Sequence, residues 1–105
     1  MPDNQFWRDA SQRLTFEMFR VPSGSYATIC GEIVATFSLV PHVPLVVGFD
    51  GVYSEHRRGG QIVGLDWDIW CGFTVTAKNE AAEPLVREIG AYLLESVWAI
   101  VGTTS

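Results

Sequence analysis

The sequence predicts an α+β fold: a mostly antiparallel four- to five-stranded sheet with an N-terminal and a longer C-terminal helix packed on one face. Three observations predict it. Several short runs alternate apolar and polar residues between turn signals, a four-residue apolar period returns near both ends, and 105 residues is the size of one domain, taken as 1–105. A content of 48% hydrophobic against 18% charged residues supplies apolar surface enough to offset the entropy of ordering the chain.

The elements follow in order. Asp3 or Asn4 can cap a short helix in which Phe6, Ala10 and Leu14 recur every four residues while Arg8, Asp9, Gln12 and Arg13 face outward. From Leu14 the spacing becomes Leu14, Phe16, Met18 against Thr15 and Glu17, which suits a strand as well as a continued helix. After the turn at Pro22, Ser23, Gly24 and Ser25, residues Ile33, Ala35, Phe37 and Leu39 have a strand-like period. A helix from Ser25 competes, because Ile29, Ile33 and Phe37 lie four apart; Gly31 and the β-branched residues weigh against it.

Residues 33–49 carry no formal charge, but Pro41, His42 and Pro44 interrupt them, so they read as two strands joined by a proline turn and not as a membrane span of about 20 apolar residues. The second of these strands, 45–49, closes at Asp50-Gly51, a turn dipeptide. Residues 54–60 read as a charged, flexible loop tip. Two further strands centre on Ile62, Val63 and Leu65 and on Phe73, Val75 and Ala77. Asn79 caps the last helix, with Glu80 and Glu83 near its positive end and Pro84 in its first turn. Leu85, Ile89, Leu93, Val97 and Ile100 form one apolar stripe. Val86, Leu94, Trp98 and Val101 form a second, which predicts a homodimer with Leu94, Trp98 and Val101 in its interface.

A net charge of −5 works against phosphate backbones and anionic lipids, so neither nucleic acid nor membrane is expected as a partner. Cys30 and Cys71 have no CxxC or metal spacing and read as buried, reduced thiols. The first residues (Met1, Pro2, Asp3, Asn4) lack the pattern of an export signal, which points to the cytoplasm.

The densest collection of functional side chains lies in residues 53–71: Tyr53, Glu55, His56, Arg57, Arg58, Asp66, Trp67, Asp68 and Trp70 are the candidate ligand- or partner-binding residues. In a strand Asp66 and Asp68 project from one face, able to bind a cation or share a proton; the plainer reading is a solvated strand end with Trp67 in the core. Trp67 and Trp70 cannot share a strand face, so one indole is directed away from the main core, where it would suit a cationic or flat ligand. His56 beside Glu55 could pair as base and acid, though strand neighbours point oppositely. Arg57 and Arg58 could grip an anion, or simply be solvated.

Phosphate loops, zinc signatures and nucleophile elbows are missing from the sequence, so no catalytic residue, metal or cofactor is assigned. The expected function is a small, acidic, non-enzymatic interaction protein that presents residues 53–71 to a basic protein. The alternatives are a pocket protein, whose cavity of Trp67, Trp70, Phe73 and Trp98 takes a cationic or aromatic ligand, and, third, a small enzyme using Asp66, Asp68 and His56.

Overall fold

The computed structural model describes residues 4–98. Their order is β1 (Asn4–Arg8), β2 (Leu14–Met18), α1 (Tyr26–Phe37), β3 (Val40–Val47), β4 (Gly51–Arg58), β5 (Gln61–Asp68), β6 (Gly72–Ala77) and α2 (Glu83–Leu94). A turn of 3-10 helix, Ser23–Ser25 or Glu80–Ala82, leads into each helix. The strands form one open, antiparallel, six-stranded sheet in the order β1-β2-β6-β5-β4-β3. The fold is α+β with two helices, and the sheet has six strands where four to five were expected.

Both extra strand segments come from misread local patterns. The expected N-terminal helix is instead a hairpin: Phe6 pairs across it with Phe16, ring centroids 4.9 Å apart, and Ala10 is exposed in the turn. Asp9 Oδ1 accepts from the backbone N–H groups of Ser11 and Arg13, and Gln12 takes a positive φ of 64°, so the turn chemistry interrupts any helical run. The charged segment 54–60 is not a loop tip either. Residues up to Arg58 complete β4, and Gly59-Gly60 alone turn the chain into β5.

The expected strand over 33–39 is instead the last turn of α1, which ends at Phe37, and the two residues that follow it. Ile29 and Ile33 are fully buried four residues apart, and this packing outweighs the β-branched propensity. Pro41, His42 and Pro44 lie inside β3, not in a turn between strands. The sheet tolerates them because β3 is an edge strand bonded only to β4. At the C-terminal end Asn79 Oδ1 accepts from Ala82 N–H at 3.1 Å, and Pro84 sits in the first turn of α2. α2 has twelve residues, the same length as α1.

One core joins the layers. Leu14, Phe16 and Met18 of β2, Phe73 and Val75 of β6, and Val63 and Leu65 of β5 face Leu85, Val86, Ile89 and Leu93 of α2 and Ile29 and Ile33 of α1. Each fully buried side chain of this size contributes about 1.5–3 kcal/mol. Polar bonds fix α1 in place. The Tyr26 hydroxyl donates to the Leu65 carbonyl at 2.5 Å and lies 2.9 Å from Ser54 Oγ. Glu32 accepts from Tyr92 Oη of α2 at 3.1 Å and from Trp98 Nε1 at 2.9 Å. No helix among the described residues is long and apolar enough to cross a membrane.

The β5–β6 turn depends on Gly72. It has a φ of +71°, and a Cβ there would overlap the carbonyl oxygens of Met18 and Phe19, which are backbone and cannot step aside. Gly59 has a φ of +59° but open space around it. Gly72→Ala therefore lowers stability by about 2–4 kcal/mol in a denaturant titration, from strain and overlap together, whereas Gly59→Ala costs only about 1 kcal/mol of strain. Equal losses at the two positions would contradict this account.

Candidate functional site

Alternation along the strands sends one set of side chains into the core and the other onto a face that neither helix covers. The strand register lines this second set up in two rows that cross all six strands. The first runs Gln5, Glu17, Thr74, Asp66, Tyr53, Val46, and the second Trp7, Thr15, Thr76, Gly64, Glu55, Val43. Adjacent strands lie about 4.8 Å apart, so Glu17 and Asp66, two strands apart, flank Thr74 at roughly 10 Å from each other. Thr74 is only 8% exposed, and its hydroxyl makes no hydrogen bond to another described residue.

The two carboxyls of that row are poorly solvated. Burial pushes Asp66 up to about 6, with Glu55 and Asp68 adding to the effect, while Lys78 and the Ser54 N–H, 3.3 Å from Asp66 Oδ1, oppose it. Burial also raises Glu17 above the usual carboxylate range. Its Gln5 and Trp7 neighbours pull the other way, and the negative charge of Asp68 adds to the rise. The Trp7 indole nitrogen itself is buried and makes no hydrogen bond of good geometry.

Lys78 lies across Gly64 from beyond the end of β6. A Cβ at Gly64 would stand 2.6 Å from Lys78 Cε, 3.4 Å from its Nζ and 3.3 Å from Asp66 Oδ2, so the missing side chain makes room for the lysine stem. Beside it is a depression of about 270 Å³ lined by Val43, Val46, Tyr53, Ser54, Glu55, Asp66 and Lys78.

The structure divides the residues singled out in the sequence. Tyr53, Glu55, Arg57, Asp66 and Asp68 alternate onto the uncovered face, whereas His56, Arg58 and Trp67 alternate toward the helices. Asp68 is committed to the β5–β6 turn, its Oδ1 accepting from Trp70 N–H at 2.9 Å and Cys71 N–H at 2.7 Å. Arg58 bonds Gln61 and Glu88. Trp67 packs against the core and donates to the Val21 carbonyl at 2.8 Å; Trp70 is exposed in the turn. Phe73 is in the core and Trp98 bonds Glu32 on α1, so the four aromatic residues expected to share a cavity do not line one together. Leu94 is exposed; Val101 lies outside the described residues.

Three members of the site were not singled out in the sequence: Glu17, Thr74 and Lys78. Glu17 and Thr74 were visible as the polar partners in two alternating runs. Only the pairing of β2 with β6, strands more than fifty residues apart in the chain, brings them beside Asp66.

The titratable candidates do not converge on one acid–base set. His56 faces the opposite side of the sheet from Asp66 and Asp68, so the acid–base trio does not converge, and burial lowers its pKa. The Cys30 thiol is pushed up to about 11 by burial, far from the thiolate that a nucleophile requires. Cys71 is raised for the same reason, and the Asp68 and Glu17 charges add to it. Among the described residues no three metal-ligating side chains cluster.

Because the folded-state value of Asp66 lies above the ordinary 3.8, the unfolded chain ionises first as pH rises. Stability from this group is therefore greatest below about pH 4, declines between about pH 4 and 6, and stays reduced above that. Asp66→Asn keeps an oxygen for the Ser54 N–H and removes the buried charge. The variant gains on the order of 1–2 kcal/mol at pH 7 and loses this part of the pH dependence, as measured by urea unfolding at pH 4.5 and 7. A variant less stable than the parent at pH 7 would show that Lys78 compensates the charge fully.

No family model, no curated protein and no solved structure matches this chain.

Proposed function

We propose that this protein is a non-enzymatic interaction module that receives a basic segment of a partner protein on the uncovered face of its sheet. The observation that carries the reading is the cross-strand row itself: Glu17 and Asp66, both held above their ordinary pKa by burial, with the Thr74 hydroxyl between them. Desolvated carboxylates are poorly stabilised alone and gain most from an arriving cation. An arginine or lysine side chain laid across β6 meets an acid on either side and a hydroxyl beneath. An arginine can also offer a carboxylate two parallel N–H bonds. The depression beside Tyr53, Val43 and Val46 gives the apolar stem of such a side chain a surface to cover.

The net charge of −5 steers basic partners toward the molecule from beyond contact distance. Two cysteines without a disulfide suit a reducing compartment, and we place the protein in the cytoplasm on that ground.

The test uses a hexa-arginine peptide as probe and a hexa-glutamate peptide as control, followed by amide chemical shifts on the full chain. The arginine peptide shifts Glu17, Thr74, Asp66 and Tyr53 together. Its affinity falls with added salt and rises from pH 5 to 7 as Asp66 ionises. The double variant Glu17→Gln, Asp66→Asn weakens it by about tenfold or more. Shifts scattered over other surfaces, or unchanged affinity in the double variant, would remove the proposal.

A further inference from the structure

The two turns at one end of the sheet expose apolar side chains. Gly48 N–H bonds the Gly51 carbonyl at 2.8 Å across the β3–β4 turn, and Ile69 N–H bonds the Asp50 carbonyl at 3.1 Å, tying that turn to the one between β5 and β6. Phe49 stands at the tip with 107% of its reference surface exposed, flanked by Val47 at 73%, Trp70 at 63% and Ile69 at 61%. Under the start of α1 opens a cleft of about 300 Å³ with Phe49 at its rim, its other walls including Tyr26, Ala27, Val52, Trp67 and Ile69.

The polar atoms of the two aromatic walls, Trp67 and Tyr26, are already used. Trp67 Nε1 is bonded to the Val21 carbonyl and the Tyr26 hydroxyl to the Leu65 carbonyl, which leaves the two aromatic walls without a handle for a polar ligand. Asp50 is the one charged residue of the lining. An apolar projection and an apolar socket thus lie side by side on one surface.

We propose that this end of the sheet is a two-fold interface with a second copy of the chain, in which Phe49 of each copy enters the cleft of the other. A two-fold axis satisfies both features at once, since an isologous contact places residue i on j and j on i. A phenyl ring fits within the cleft volume. Val47, Phe49, Ile69 and Trp70 together expose roughly 600 Å² of surface, so two copies bury up to about 1,200 Å² through these residues, the low end of specific interfaces. The lining carries a single charge, so the seam sets few like charges against each other despite the −5 of each chain. A basic partner, by contrast, would find little counter-charge here.

Sedimentation equilibrium of the full chain over about 10 μM to 1 mM tests this, with circular dichroism confirming that each variant folds. The parent dimerises, more tightly as salt screens the net charge; this trend is opposite to that expected for the basic segment on the uncovered face, so the two readings fail separately. Phe49→Ala removes the projection and Ala27→Trp, at an exposed wall position, fills the socket; each weakens the dimer by about tenfold or more. Mixing the two variants restores one of the two contacts and gives a heterodimer tighter than either homodimer. A chain that stays monomeric throughout, a dimer that either variant leaves untouched, or a mixture no tighter than its components overturns the interface.

Discussion

Coverage is the constraint on which the rest of this structure depends. Six strands span roughly 24 Å between the outer strand axes, and two helices of about 10 Å diameter cover roughly 20 Å. Two helices therefore suit one face of this sheet, fall short at an edge, and leave the other face without a layer. The burial pattern follows this arithmetic. β6, at the centre, is buried along its whole length, while every residue of the edge strand β3 is exposed.

The uncovered face accounts for the residue types found on it. A bare face must hold polar residues, yet at the centre of a sheet it must also keep β propensity, and threonine meets both demands. Thr15, Thr74 and Thr76 occupy this centre and are each under 9% exposed, because larger neighbours flank them. In the middle of such a floor a carboxylate is partly withdrawn from water even though no layer covers it. Asp66 is raised for that reason, and the proposed capture of a cation draws on the same charge that burial makes costly to the fold. The helix side has the opposite economy: Tyr26, Ser54 and the Leu65 carbonyl satisfy one another, so that polar cluster serves only to seat α1.

Much of the fold was legible where one period dominated. The alternation at Leu14, Phe16 and Met18 and at Phe73, Val75 and Ala77, and the capped helix after Asn79, are present in the structure. The sequence pattern misleads where two periods fit the same letters. Ile29, Ile33 and Phe37 obey a helical spacing while Ile33, Ala35, Phe37 and Leu39 obey a strand spacing, and only burial of Ile29 and Ile33 against the sheet chooses between them. β4 was hidden by its own charges: Glu55 and Arg57 belong on an uncovered face, and a strand with such a face looks like a loop. Of the candidate site, Asp66 and Tyr53 were visible from the sequence. Glu17 was not, because its relation to Asp66 exists only through β6.

The two proposed surfaces differ in their physics, not in position alone. On the uncovered face the Lys78 charge only partly offsets the burial of Asp66 and no cation acts on Glu17, so the proposed recognition there is electrostatic and weakens in salt. At the turn end the two aromatic walls have their polar atoms bonded internally, so the proposed association there is hydrophobic and gains from salt. β3 runs between these regions, with Val43 and Val46 beside the acidic depression and Val47 beside Phe49. Pro41 and Pro44 remove two backbone donors from that strand, so it is a poor template for extending the sheet into a neighbour. Its exposed valines are left to act through side chains, which is how one uncharged edge strand can border a charged site and an apolar one without recruiting further strands.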